Sequence, residues 1–157
     1  MDDQEGVLLR RAIRLACENV SAGGGPFGAV VAKGGRMLAE GANRVVPDAD
    51  PTAHAEVVAI RAAARALGTH DLSGAVLYAS CEPCPMCLAA AWWARIGRIV
   101  FAATRAEAAA AGFDDAAIYE EVAAPLSARR LPIVQALPEA AAEPFRLWAQ
   151  KADRVPY

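Results

Sequence analysis

Two short segments carry the residue types best suited to chemistry. His54 and Glu56 stand two apart in Asp50-Pro51-Thr52-Ala53-His54-Ala55-Glu56. Cys84 and Cys87 stand three apart in Pro83-Cys84-Pro85-Met86-Cys87, with Cys81 just upstream. Side chains at i and i+3 share one face of a helix, so this pair can grip one metal ion. A helix N-terminus stabilises the thiolate, which is the form that binds. With His54 as a third, borderline ligand, a tetrahedral Zn2+ keeps one position open for water, the arrangement of a catalytic site. Zinc brings the pKa of such a water toward neutrality, and Glu56 then moves its protons as general base and general acid. Residues i and i+2 point about 200° apart on a regular helix. His54 and Glu56 therefore converge only in an irregular first turn, with Asp50-Pro51-Thr52 as the expected cap. Two other readings of the cysteines stay open at this point. Cys81 as a fourth ligand would close a structural zinc site, and a redox-active Cys-x-x-Cys needs no metal.

The apolar periodicity places both segments at helix starts. A first helix is expected over about Val7 to Val20, with Leu8, Leu9, Ala12, Ile13 and Ala16 at helical spacing. Cys17 in that pattern reads as a small core residue. A glycine-rich break from Ser21 to Pro26 leads into strands Phe27–Ala32 and Arg36–Asn43, joined by a Gly34-Gly35 hairpin turn. Gly23-Gly24-Gly25 is no phosphate loop, because it lacks the Gly-Lys-Ser/Thr ending and leads into a strand. After the loop Val46–Pro51, a helix is expected from about Ala53 to Leu67, stopped by Gly68. A buried strand Ala75–Ser80 follows, then a helix opened by Pro83 and Pro85 and running to Ala94. Strand Arg98–Ala102 precedes two short helices, Arg105–Ala111 and another ending at Glu121, which Gly112-Phe113-Asp114-Asp115 separates. Leu131–Ala136 is expected as an edge strand, interrupted by Pro132, before a last helix from Glu139 toward Asp153. Alternating strands and helices, with no repeat or linker, favour one three-layer α/β/α domain over residues 1–157.

Composition narrows the function classes. At 157 residues the chain is the size of one core. Hydrophobic types make up 55% of it, but 39 residues are alanine, so the larger apolar residues must carry most of the packing. A charged fraction of 22% and a mean hydropathy of +0.22 exclude a disordered chain. Sixteen basic against 18 acidic residues give a net charge of −2, and no basic stripe is visible. That argues against a protein that holds nucleic acid mainly through phosphates. The longest uncharged apolar run, Pro85–Ala94, is too short to span a bilayer. The acidic start Met1-Asp2-Asp3-Gln4-Glu5 lacks the features of a secretory signal. A soluble cytoplasmic protein is therefore expected, where thiols stay reduced and four cysteines make no disulfide framework.

Taken together, the His-x-Glu and Pro-Cys-x-x-Cys segments resemble the cytidine/deoxycytidylate deaminase superfamily of zinc enzymes. Within it, Gly25-Pro26-Phe27-Gly28, Gly112-Phe113-Asp114-Asp115 followed by Ile118-Tyr119, and the final Tyr157 are similar to the bacterial guanine deaminases. Plant guanosine deaminases look alike in the same places. The resemblance covers nearly the whole chain and implies a five-stranded mixed sheet with helices on both faces. It implies zinc on His54, Cys84 and Cys87, with Glu56 as proton shuttle, in the hydrolysis of guanine to xanthine and ammonia. It also implies a homodimer whose C-terminal segment, about residues 137–157, crosses to close the partner's active site. By matching motif, Phe27 would flank the base and Asn43 would hydrogen-bond its polar edge. Asp115 would accept from guanine's donors or relay a proton to the amine, and Tyr157 would reach in from the partner chain. The chemistry is consistent with these roles. Guanine's N1–H and N2–H suit a carboxylate, and a purine face suits an aromatic ring. Guanosine, cytosine or another amino-heterocycle remain alternative substrates, and a non-catalytic zinc-stabilised module is the alternative of another class. The chain departs from the resemblance at Leu88-Ala89-Ala90-Ala91-Trp92-Trp93, which ends more bulkily than expected.

Overall fold

Short apolar runs of small and β-branched residues build the sheet that carries the site. In the computed structural model, which describes residues 3–157, β1 (Gly28–Lys33) lies between β2 (Arg36–Ala42) and β3 (Ala75–Cys81), antiparallel to both. Strand β4 (Arg98–Ala103) runs parallel to β3 at the far edge, so the order is β2-β1-β3-β4. Gly34 and Gly35 turn the β1–β2 hairpin with φ of 57° and 77°, the left-handed pair that a tight two-residue turn requires.

Alternate residues of a strand face opposite ways, and the core divides accordingly. Val30, Ala32 and Tyr78 pack with Leu8 and Ala12 of α1 (Asp3–Ser21) on one face. On the other face, Ala29, Val31 and Leu77 join Ala59, Ile60 and Ala63 of α2 (Ala55–Leu67) and Ala91 of α3 (Pro85–Trp93). The expected three layers are present. The abundance of alanine and glycine brings these layers into very close contact. A Cβ added at Gly28 would lie 2.3 Å from the Ala12 carbonyl oxygen, and one at Gly41 would lie 2.6 Å from that of Ala55.

Three expectations need correcting. Among the described residues the sheet has four strands, not five. Leu131–Ala136 has no strand partner, and Pro132 has no N–H to offer one. Cys17 is exposed, because the buried line of α1 runs through Gly6, Leu8, Ala12, Ala16 and Asn19, one helical step away. Asp50 caps no helix. Its Oδ1 accepts from the Thr52 N–H and hydroxyl at 2.8 and 2.7 Å, closing a turn ahead of α2.

The chain divides into two units, one ending at Asp115 and the other spanning Ala116–Tyr157. The first closes with α4 (Arg105–Ala110), capped by Thr104 and Glu107 in a reciprocal pair of hydrogen bonds. The second holds α5 (Ala116–Ala123), a 3-10 turn (Leu126–Ala128) and α6 (Pro138–Gln150). None of its residues is buried, and Leu137, Phe145 and Leu147 are exposed. No helix among the described residues is long and apolar enough to cross a membrane.

Candidate active site

The ligand residues occupy the starts of α2 and α3, though not quite as helical positions. His54 is the residue before α2, with extended backbone at φ −66° and ψ 151°. Cys84 precedes α3 in the same way, at φ −66° and ψ 168°, and Pro85 opens that helix. Glu56 is then the second residue of α2 and Cys87 the third of α3. This resolves the angular conflict between His54 and Glu56, because His54 lies outside the helical rotation.

His54 Nδ1 lies 3.6 Å from Cys84 Sγ and 3.5 Å from Cys87 Sγ. These three ligand atoms all fall within 4.8 Å of one another. Around a tetrahedral zinc, bonds of about 2.0 Å to nitrogen and about 2.3 Å to sulfur put N and S about 3.5 Å apart. The donor set and its spacing therefore fit zinc. Cys81 is not in the cluster. Its Sγ lies 3.7 Å from the Thr104 carbonyl oxygen, and burial raises its thiol pKa.

Each ligand's proton affinity follows from its neighbours. With the Cys87 thiol and His54 beside it, the Cys84 pKa falls to about 4. Cys87 is pushed the other way by its bond to Cys84 and by burial. The Cys84 thiolate raises the His54 pKa. Glu56 is 7% exposed, and burial lifts its carboxyl above the usual range. Cys84, Cys87 and His54 are among the groups that act on its carboxyl, so the acid lies beside the metal ligands.

Of the other expected residues, Phe27 immediately precedes β1 and Asn43 immediately follows β2. Asn43 N–H donates to the Phe27 carbonyl at 3.0 Å, and Arg44 N–H donates to Ala53 at 2.8 Å, next to His54. Phe27 and Asn43 are thus joined to each other and set beside the metal-binding turn. Asp115 is largely shielded, with Arg105 Nε 4.0 Å away. Tyr157 belongs to the second unit, where its side chain is 74% exposed. One residue escaped the sequence reasoning. Phe113 meets Phe27 edge to face, with ring centroids 4.9 Å apart. The signal for it was its place in the Gly112–Asp115 break, two residues before Asp115.

A family model described as the cytidine and deoxycytidylate deaminase zinc-binding region matches residues 2–103. The chain belongs to the cytidine and deoxycytidylate deaminase family. Zinc is the metal of that family, and among the described residues His54, Cys84 and Cys87 form a grouping that can hold it. Among curated members, guanine deaminase from Bacillus subtilis is 50% identical over 151 residues, covering 96% of this chain and 97% of that one. The X-ray structure of B. subtilis guanine deaminase superimposes with a TM-score of 0.95 at 48% identity, covering 100% of this chain and 99% of that chain. A tRNA-specific adenosine deaminase from Aquifex aeolicus is 41% identical over 96 residues, 61% of this chain and 64% of that one.

Proposed function

We propose that this deaminase-family enzyme hydrolyses guanine to xanthine and ammonia. One observation carries the reading: a three-ligand cluster with the buried carboxyl of Glu56 turned toward it, in a chain half identical to a guanine deaminase end to end. When bound, zinc supplies Lewis acidity that brings a water molecule's pKa toward neutrality. His54, Cys84 and Cys87 would hold the ion, and three protein ligands would leave it able to take up that water. Glu56 takes the water's two protons in turn, giving the first to the purine ring nitrogen as oxygen bonds C2 and the second to the amino group as it leaves as ammonia. A carboxyl whose pKa is raised by burial is well matched to carrying protons both ways.

The remaining residues hold the base. Phe27 stacks against the ring, and Phe113 braces it from the side. Asn43 bonds the polar edge of the base, and Asp115 accepts from N1–H and N2–H or relays a proton to the amine. A carboxylate placed for those donors is left unpaired by bases that lack them, which discriminates strongly. The enzyme acts in purine metabolism as a homodimer, with residues 137–157 crossing to the partner and Tyr157 closing the partner's site. The second unit supports this, because its apolar side chains find no burial within one chain.

Ammonia release from guanine, guanosine, cytosine, cytidine, adenine and ammeline tests the assignment. Guanine is expected to give the highest kcat/KM. A clear preference for guanosine or cytosine would replace the substrate but keep the chemistry. No ammonia from any of them would remove both.

A further inference from the structure

The glycine-rich segment ahead of β1 is tied to the substrate residues through a single buried side chain. Asn19, in the last turn of α1, is 5% exposed. Its Nδ2 donates to the Gly25 carbonyl and to the Asn43 carbonyl, both at 2.8 Å. The Gly25 carbonyl also accepts from Phe27 N–H at 2.8 Å, and the Phe27 carbonyl accepts from Asn43 N–H at 3.0 Å. These four bonds form a closed ring through Asn19, Gly25, Phe27 and Asn43. Two members of that ring are the residues assigned above to the face and the edge of the base.

The chemistry of the joint is specific to an amide. One nitrogen supplies two hydrogens to two inward-facing carbonyls. An aspartate would set negative charge against both, and an alanine would leave the Asn43 carbonyl without its donor. The surroundings are built to admit this side chain. Gly24 N–H donates to the Asn19 main-chain oxygen at 2.9 Å, and a Cβ on Gly24 would lie 2.3 Å from Asn19 Nδ2. A Cβ on Gly25 would lie 3.2 Å from the Asn43 amide. Asn43 Oδ1 accepts from Val45 N–H at 3.2 Å, which leaves its amide nitrogen as the end that can donate to a ligand.

We propose that Asn19 is a positioning residue for substrate: it fixes the Phe27–Asn43 pair against which the base binds, and has no part in holding the metal or moving protons. The proposal rests on the substrate roles of Phe27 and Asn43 given above. Asn43 bonds the base in the ground state and the transition state alike, so a loosened joint weakens binding in both. The loss then falls on KM and spares kcat.

The test compares Asn19→Ala, Gly24→Ala and Asn43→Ala with the natural protein, measuring guanine kinetics per bound zinc and the thermal midpoint of each. Asn43→Ala is expected to raise KM for guanine by about tenfold or more, the worth of one good hydrogen bond. Asn19→Ala and Gly24→Ala, which disturb the joint from opposite sides, are expected to reproduce a rise of about tenfold, with kcat per zinc held within about threefold. If Asn43→Ala raises KM and the other two leave it unchanged, the proposal is wrong. A fall in kcat per zinc or in thermal midpoint at constant KM would also overturn it, leaving Asn19 a purely structural residue. An unchanged KM in Asn43→Ala would instead take away the substrate role of Asn43, and the proposal with it.

Discussion

Cys84 and Cys87 hold a single proton between them near neutral pH, because the hydrogen bond that lowers one pKa to about 4 raises the other. Zinc needs both thiolates and a neutral imidazole. Binding must therefore expel the Cys87 proton and, where His54 is protonated, the His54 proton too. Since binding releases protons, affinity must rise with pH. The slope is expected to be about one decade per pH unit above the His54 titration and about two below it. Competition with a chelator between about pH 6 and about pH 8 measures this, and a flat profile would contradict it. Glu56 makes a separate claim. Glu56→Gln should cut kcat by about 10²–10⁴-fold and leave zinc stoichiometry unchanged, whereas lost zinc would mark Glu56 as a ligand. At this scale the sequence was informative wherever a residue type is rare and chemically committed, as with two cysteines, a histidine and a glutamate at fixed offsets. It was silent on Asn19 and on the contact made by Phe113. An asparagine near a helix end and a phenylalanine in a turn have many commoner uses, and only the folded chain brings Gly25, Phe27 and Asn43 to them.

Helix α2 lies directly on the sheet backbone, and α3, which carries the cysteines, packs against α2. Gly41 in β2 leaves room for the first turn of α2, and a Cβ there would come within 2.6 Å of the Ala55 carbonyl oxygen and 2.7 Å of Ala59 N. Gly41→Ala should therefore destabilise the protein by about 1–3 kcal/mol and weaken zinc binding, because the displaced turn carries His54 and Glu56. Gly68 ends the same helix in the left-handed region, at φ 66°, with open space around it. Gly68→Ala should cost about 1 kcal/mol and leave zinc affinity unchanged. Thermal denaturation with zinc titration of both variants checks the contrast, and equal effects on zinc would refute it. Helix stops and hairpin turns were legible because glycine at a positive φ leaves a local mark in the sequence. The fifth strand was not. The apolar residues around Pro132 suggest a strand, but a strand exists only when a partner accepts its hydrogen bonds, and none does among the described residues.

At the scale of the molecule, the second unit is the part in which no residue is buried. Helix α6 exposes Phe145 and Leu147, and a 13-residue helix has little stability without packing. The crossing segment proposed above would cover these side chains with a second copy of the chain. Sedimentation should find a dimer. Removing the last few residues through Tyr157 should lower turnover strongly while zinc content holds. Full turnover from the shortened chain would take Tyr157 out of the site. A last helix from about Glu139 toward Asp153 was readable, and α6 spans Pro138–Gln150, but nothing in a pattern says whose core it covers.

The account stands on an open metal centre, so the environment of the zinc is its sharpest test. X-ray absorption at the zinc edge of the loaded protein should show two sulfur ligands at about 2.3 Å and two lighter atoms near 2.0–2.1 Å, one from His54 and one from water. A third sulfur, which only Cys81 or Cys17 could supply, would close the position that the chemistry requires and contradict the account.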